Sequence, residues 1–411
     1  MLDASAERRG HLEVLMVIEG EIATTQLIER VLAACAAHGL RYRKRRLRDL
    51  RIEDFHTRTI PLFVRCDSPA LEAWIELLLR AQHPYLYYID DNFWRIEGDS
   101  PLARHYRHPL IRRSLEFAVT HAEGVLTNSG ELARFLGRFT ARTRVLPAFF
   151  DFALIDGVTA PATCEVRVGF AGSPSRGDDL DIVAPLLESV LADHPQVVFE
   201  FAGVLPRGQA TGDRVRFFPH TADYGAFARF QAGRGWAIGL APLRDIEANR
   251  CKTNNKYREY GASHTAGIYS DLAPYRDSVT HGLTGLLVDN APEAWLGALD
   301  QLCRDAAARL AMGRRAHADV LERFCVERVA GEWAAVFRDV DRTLHRHPAA
   351  PLKSVRRGLS ARRIRSHVET AAMQVGDAYR EGNLPMVLRK SVKRMFKSAS
   401  ALRGRTGEKG E

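Results

Sequence analysis

Residues 239–262 combine groups that suit phosphate and sugar at once. Gly239-Leu240-Ala241-Pro242-Leu243 predicts a buried strand, Arg244, Asp245 and Asn249 fall in a polar loop, and 252–262 predicts a helix. Lys252 and Lys256 stand in the first turn of that helix and Glu259 in the second. A lysine at a helix start works against the dipole, whereas the free N–H groups there favour a diphosphate that both ammonium groups would also attract. A carboxylate one turn later accepts two hydroxyl hydrogen bonds, which suits a ribose. The stretch therefore predicts a site for a sugar nucleotide.

Two further places could share that chemistry. Gly172-Ser173-Pro174-Ser175-Arg176-Gly177 reads as a strand-to-helix turn, where Ser173, Ser175, Arg176 and backbone N–H groups could meet the diphosphate. Asp90 and Asp91 end a predicted strand over 85–89. Neighbouring carboxylates on a strand point to opposite faces, which makes them poor joint metal ligands. By itself the pair suits a helix cap. No metal-ligand spacing occurs elsewhere, and the six cysteines lack a disulfide framework, so neither a metal nor another cofactor is expected.

The elements that must position these groups alternate in type. Apolar runs over 14–20, 60–65, 85–89 and 124–128 predict strands, and helical periodicity over 23–35, 71–79, 102–119 and 131–136 predicts the helices between them. After a Gly-, Thr- and Pro-containing linker over 151–165, the alternation restarts. Strands are predicted over 166–172, 197–203, 215–218, 236–242, 268–270 and 285–288, with helices over 179–191, 224–231, 295–303 and 307–324. The fold class is α/β: two doubly wound units, 11–150 and 166–325, facing a cleft that holds the ligand. A helix over 326–345 packs back on the body, and 346–411 forms a basic tail.

The net charge of +9 is confined to that tail. From Arg346 onward there are 16 Lys and Arg against 5 Asp and Glu, which leaves 43 against 45 for the rest. Within the tail, 389–402 places Val392, Met395, Phe396, Ala399 and Leu402 on one helical face and Arg389, Lys390, Lys393, Arg394 and Lys397 around the other. This predicts an interfacial helix on an anionic membrane. Groove-reading and base-stacking motifs are missing, which argues against nucleic acid as a partner. No apolar run reaches the ~18 residues of a membrane span, and the polar start is unlike a secretory signal. A cytoplasmic location is expected, peripheral on the inner face of the plasma membrane if the tail binds there.

Three blocks in this order resemble retaining GT-B glycosyltransferases of the glycosyl transferases group 1 type, found in bacterial surface-polysaccharide pathways. They are Gly124-Val-Leu-Thr-Asn-Ser-Gly-Glu-Leu132, then Val168-Gly-Phe-Ala-Gly-Ser-Pro-Ser-Arg-Gly-Asp-Asp-Leu180, then 239–262 together with Tyr269-Ser-Asp-Leu-Ala-Pro-Tyr275 and Gly282-Leu-Thr-Gly-Leu-Leu-Val288. The similarity spans roughly residues 12–340. It implies a hexosyl transfer from a nucleotide-sugar donor to a glycan or lipid-linked acceptor, with no bound metal and no protein nucleophile. The leaving diphosphate would deprotonate the acceptor on the same face.

The family's Glu-x7-Glu motif puts the ribose-binding Glu at Glu259 and the other Glu at Cys251, where a thiol cannot serve as a carboxylate acceptor. A related subgroup has polar groups where Asn249, Lys252 and Lys256 stand. Gly172, Ser173, Ser175 and Tyr275 fall on the donor side, Asp90 and His105 on the acceptor side. Lys252, Lys256, Arg176 and Asp91 are the expected catalytic groups. His108 also falls near the cleft, with a surface role the simpler reading, and His220 lies at the end of the strand over 215–218, where a binding role is the less favoured reading. Sugar-nucleotide 2-epimerases share this architecture, and the departure at Cys251 leaves a catalytically idle partner subunit as a further reading.

Overall fold

The computed structural model describes residues 12–355 except 57 and 222, and 365–373 except 367. The predicted helix over 389–402 lies outside the described residues.

The expected alternation forms two sheets of six strands, with all neighbouring strands parallel. In the first, β1 (Glu13–Ile18), β2 (Arg41–Arg46), β3 (Thr59–Val64), β4 (Leu86–Tyr88), β5 (Gly124–Thr127) and β6 (Thr143–Val145) lie in the order β2-β1-β3-β4-β5-β6. In the second, β7 (Val166–Ala171), β8 (Val197–Ala202), β9 (Val215–Phe218), β10 (Ile238–Ala241), β11 (Ala266–Ser270) and β12 (Leu286–Val288) lie in the order β12-β11-β10-β7-β8-β9. Central strands such as β3, β7 and β8 are buried along their whole length, as helices on both faces require. Each sheet reverses its winding once, between β1 and β3 and between β7 and β10. Loops at the carboxyl ends of these strand pairs part there and leave a crevice.

Strand β2 was not predicted, because its Arg-Tyr-Arg-Lys-Arg-Arg run has no apolar periodicity. It forms on a sheet edge, where one face is enough, and nearby acids take up its charge. Arg43 pairs with Glu13 at 2.8 Å and Asp54 at 3.1 Å, and Lys44 with Glu29 at 2.5 Å and Glu21 at 3.0 Å. Charged edge strands also resist pairing with other chains.

Two predicted helices are interrupted. The one over 102–119 divides into Pro101–Arg107 and Pro109–His121, since Pro109 cannot continue a helix but starts one well. Ser100 Oγ accepts from Ala103 N at 3.2 Å, and His108 Nδ1 accepts from Leu110 N at 3.3 Å, so His108 is a cap. The helix over 179–191 becomes Gly177–Leu180, a turn at Ala184–Leu186 and Leu187–Asp193, with Pro185 inside the break. The linker is packed: Phe152, Leu154 and Ile155 lie against the second core.

Helix Val326–Arg346 returns to the first domain. Val329, Trp333, Phe337 and Val340 join Val14, Met16, Ile28 and Leu32 in one core. Trp333 and Phe337 each stabilise this contact by roughly 1.5–3 kcal/mol. The chain crosses between domains twice at one place, where Phe150 N donates to Phe324 O at 2.8 Å.

Part of the stretch expected as a basic tail from 346 packs on the first domain. Leu352 is buried in the first core, Ala350 N donates to Ala81 O at 2.8 Å, and Glu369 pairs with Arg113 at 3.0 Å. Apolar Leu352, Val355 and Met373 give this stretch a face to dock. No helix among the described residues is long and apolar enough to cross a membrane.

Candidate functional site

Both switch points open into one interdomain cleft of about 730 Å³. Glu21, Thr24 and Arg65 reach it from the carboxyl ends of β1 and β3, and Gly172, Ser173, Arg176 and Leu243 from those of β7 and β10. That volume lies within the ~300–1,000 Å³ range of small-ligand sites.

The segment after β10 differs in detail from the prediction. It forms a short helix Glu247–Arg250, a turn, and then a helix Asn255–Ala262. Lys252 therefore precedes the longer helix, while Lys256 lies in its first turn. Both line the cleft, as does Glu259. Lys256 is 9% exposed. Its Nζ donates to the Ala171 carbonyl at the end of β7 and lies 4.3 Å from the centre of the Phe170 ring. Burial lowers its ammonium to about 8, with Glu259 opposing the shift and Arg176 adding to it. Burial likewise raises the Glu259 carboxyl, against the pull of Lys256 and Arg258, and Tyr224 reaches Glu259 Oε1 at 3.5 Å.

Arg176 lines the cleft on the turn after β7 and pairs with Asp179 at 3.0 Å. Asp179 also accepts from Arg244 N at 2.8 Å and from Asn249 Nδ2 at 3.2 Å. Asn249, expected on the donor, is thus spent inside the protein: Nδ2 also reaches Arg244 O at 2.9 Å, Arg176 reaches its Oδ1 at 3.4 Å, and it does not line the cleft. Its place is that of a strut for Arg176. Ser175 is also off the wall; it is exposed and shares a 2.8 Å hydrogen bond with Ser173, which does line the cleft along with Gly172. Tyr275 lines it too, with its phenol pushed up by burial.

Across the cleft, Asp90 and Asp91 follow β4 and belong to no strand, so the opposite-face argument does not apply to them. Both turn to Arg65 Nη1, at 3.2 Å and 3.6 Å. Neither caps a helix; the turn that follows, Phe93–Arg95, starts from Asn92 without a side-chain cap. Burial raises the Asp90 carboxyl despite Arg65. For Asp91, Lys252 and Arg65 outweigh burial and hold the carboxyl below its usual value. His105 is corrected as well. Its helix aims it at Asp67, 3.2 Å away, and it does not line the cleft. His220 does line it, beyond the end of β9.

Cys251 packs into the first core and is 3% exposed. Asn92 Nδ2 reaches its Sγ at 3.4 Å, and burial raises the thiol. It stands in the seam between the domains and not on the cleft wall.

Arg65 and Arg258 were not anticipated. Arg65 takes a left-handed backbone with φ 51°, strained for a side chain of its size. Arg258 is 1% exposed, donates to Phe149 O and Asn255 Oδ1, and reaches Asn254 Oδ1 at 2.9 Å. Arg65 acquires its partners from the tertiary fold, whereas Arg258 draws on Asn254 and Asn255 one turn back as well as on the distant Phe149.

No protein-family model and no curated protein matches the chain. Solved structures do match in fold. A sucrose-phosphate synthase from Thermosynechococcus elongatus aligns with a TM-score of 0.59 and 14% identity, over 80% of this chain and 99% of that one. HepE from Anabaena, in complex with UDP and glucose, aligns with a TM-score of 0.60 and 15% identity, over 80% and 100%. A putative UDP-N-acetylglucosamine 2-epimerase from Listeria monocytogenes aligns with a TM-score of 0.51 and 10% identity, over 81% and 97%. At such identities the likeness is one of fold, the GT-B arrangement of two Rossmann-like domains facing a cleft.

Proposed function

We propose that the protein is a glycosyltransferase of the hexosyltransferase type, which moves a sugar from a nucleotide-sugar donor to a glycan or lipid-linked acceptor in cell-surface polysaccharide biosynthesis. The carrying observation is the convergence of Lys252, Lys256, Arg176 and Glu259 on the second-domain wall, opposite Asp90 and Asp91. The cations are suited to the donor diphosphate and Glu259 to its ribose. In the retaining course, the bond from the anomeric carbon to the diphosphate oxygen breaks and the acceptor oxygen bonds to that carbon on the same face. The leaving oxygen takes the acceptor proton. Lys252, Lys256 and Arg176 stabilise the charge that builds on it, a preorganised electrostatic effect that needs no metal. The likeness in fold to HepE with UDP and glucose bound supports this reading.

The likeness to a putative 2-epimerase favours a second reading, in which the donor alone is isomerised. Screening UDP-, GDP- and other sugar nucleotides for thermal stabilisation tests both, because a ligand at a hundred times its dissociation constant adds about 2.7 kcal/mol. Incubating the stabilising donor with and without acceptor then separates transfer from isomerisation. No stabilisation by any sugar nucleotide would overturn both readings and leave a catalytically idle partner subunit.

The proposal places the enzyme in the cytoplasm and on the inner membrane face, through the basic and apolar residues of 389–402. Flotation of the full chain with anionic vesicles, against binding to duplex DNA, tests this placement.

A further inference from the structure

The two walls of the cleft differ in charge and in hydrogen-bonding character. The second-domain wall sets Arg176, Lys252, Lys256 and Arg258 against Glu259. The first-domain wall sets Glu21, Asp90 and Asp91 against Arg65. Arg65 is already committed to both aspartates and donates to Thr24 Oγ1 at 3.1 Å, with its guanidinium 4.7 Å from the centre of the Phe93 ring. Thr24 in turn donates its proton to Asp90 Oδ2 at 2.7 Å. Asn128 donates one of its two amide N–H groups to Tyr88 Oη at 3.1 Å, and its Oδ1 is buried with no partner among the described residues. Lys44 meets Glu21 at 3.0 Å but is shared with Glu29 at 2.5 Å.

The cationic donor of this wall is therefore consumed by the protein, while its exposed acceptors are the carboxylates of Glu21 and Asp91. Hydroxyl groups are the natural complement, since each brings a proton to such an acceptor and carries no charge. Phosphate and carboxylate groups bring further acceptors and a charge of the wrong sign. Their complement is the opposite wall, which the donor diphosphate would fill.

We infer that the first-domain wall selects an acceptor whose receiving end is a neutral, polyhydroxylated sugar, and discriminates against one that presents phosphate, diphosphate or carboxylate there. The inference rests on the donor reading above. It places the reaction after a step that has already joined a sugar to any lipid phosphate: the protein extends a glycan end and does not put the first sugar on a phosphorylated lipid.

The test uses the full chain saturated with whichever nucleoside diphosphate stabilises it. Methyl glucoside, galactoside and mannoside are titrated at low salt beside glucose, galactose and mannose 6-phosphates and glucuronic and galacturonic acids, with the additional thermal shift as readout. At least one neutral glycoside is expected to half-saturate at a tenfold or more lower concentration than its charged counterparts. That gap is expected to narrow in Glu21→Gln and as salt rises, because screening weakens the repulsion. A charged probe that binds as well as its neutral counterpart overturns the inference, as does the absence of any shift with the neutral probes. Failure of the donor reading shows separately, as no shift with any nucleoside diphosphate.

Discussion

Lys252 Nζ lies 3.7 Å from Asp91 Oδ1, so that a cation of the second domain meets a carboxylate of the first across the cleft. Both side chains are more than a third exposed, and such a pair contributes little to stability, at most about 1 kcal/mol. Its value lies in placing a part-exposed ammonium where the donor diphosphate is proposed to leave.

Lys252→Ala is accordingly expected to reduce turnover by about 10²-fold or more, the scale of losing one preorganised charge-stabilising group. Its unfolding free energy should stay within about 1 kcal/mol of the parent. Steady-state kinetics and urea unfolding of the same preparation check the pair of outcomes. Activity within a few-fold of the parent would remove Lys252 from the site.

Lys256 gives the site a pH dependence with a definite sign. Burial, opposed by Glu259 and assisted by Arg176, holds its ammonium at about 8 against an ordinary 10.5. The folded chain thus gives up this proton before the unfolded chain does, and stability from this group rises with pH between about 8 and 10.5. The proposed nucleotide binding would run the other way, since a diphosphate needs the charged form. Affinity is expected to fall above about pH 8, approaching tenfold per pH unit, with proton uptake on binding. Calorimetry in buffers of different ionisation enthalpy measures both, and Lys256→Met should flatten the profile.

At Cys251, restoring the acidic residue of the resembling family is expected to harm the protein. The thiol already feels Glu131, Glu247 and Asp91, and Asn92 is its one hydrogen-bond donor among the described residues. Cys251→Glu would bury a further acid in that seam, at a cost of about 2–4 kcal/mol. Cys251→Ala should cost about 1 kcal/mol. Denaturant midpoints decide, and a stabilised or more active Cys251→Glu would show that the seam accepts charge.

Gly203 holds φ at +85°, and a Cβ there would lie 2.2 Å from the Gly172 carbonyl oxygen. Gly203→Ala must strain its own backbone or push back the turn after β7 that carries Ser173 and Arg176. A loss of about 2 kcal/mol or more is expected, together with weaker nucleotide binding. Unchanged affinity in a folded variant would detach this turn from the ligand.

Much of the fold was legible because buried parallel strands announce themselves as apolar runs, as at Val166–Ala171 and Val197–Ala202. The charged edge strand Arg41–Arg46 carries no such run; its partners Glu13 and Asp54 are remote in sequence or lie beyond a turn. Within the site, Lys256, Glu259 and Arg176 were readable because a helix start or a strand-end turn gives each a local chemical meaning. Asn249 looked alike from the sequence, and its commitment to Asp179, seventy residues away, is a tertiary fact. The same holds for His105 and Asp67, and for Arg65, whose two aspartates lie on the neighbouring strand's exit.

The return of helix Val326–Arg346 to the first domain also bears on the order in which the chain can become folded. Trp333, Phe337 and Val340 fill the same core as Val14 and Met16, three hundred residues earlier. Residues 166–325 are continuous and can complete their own sheet as they emerge from the ribosome. The first domain, although made first, must wait with one apolar face uncovered until the second has been synthesised.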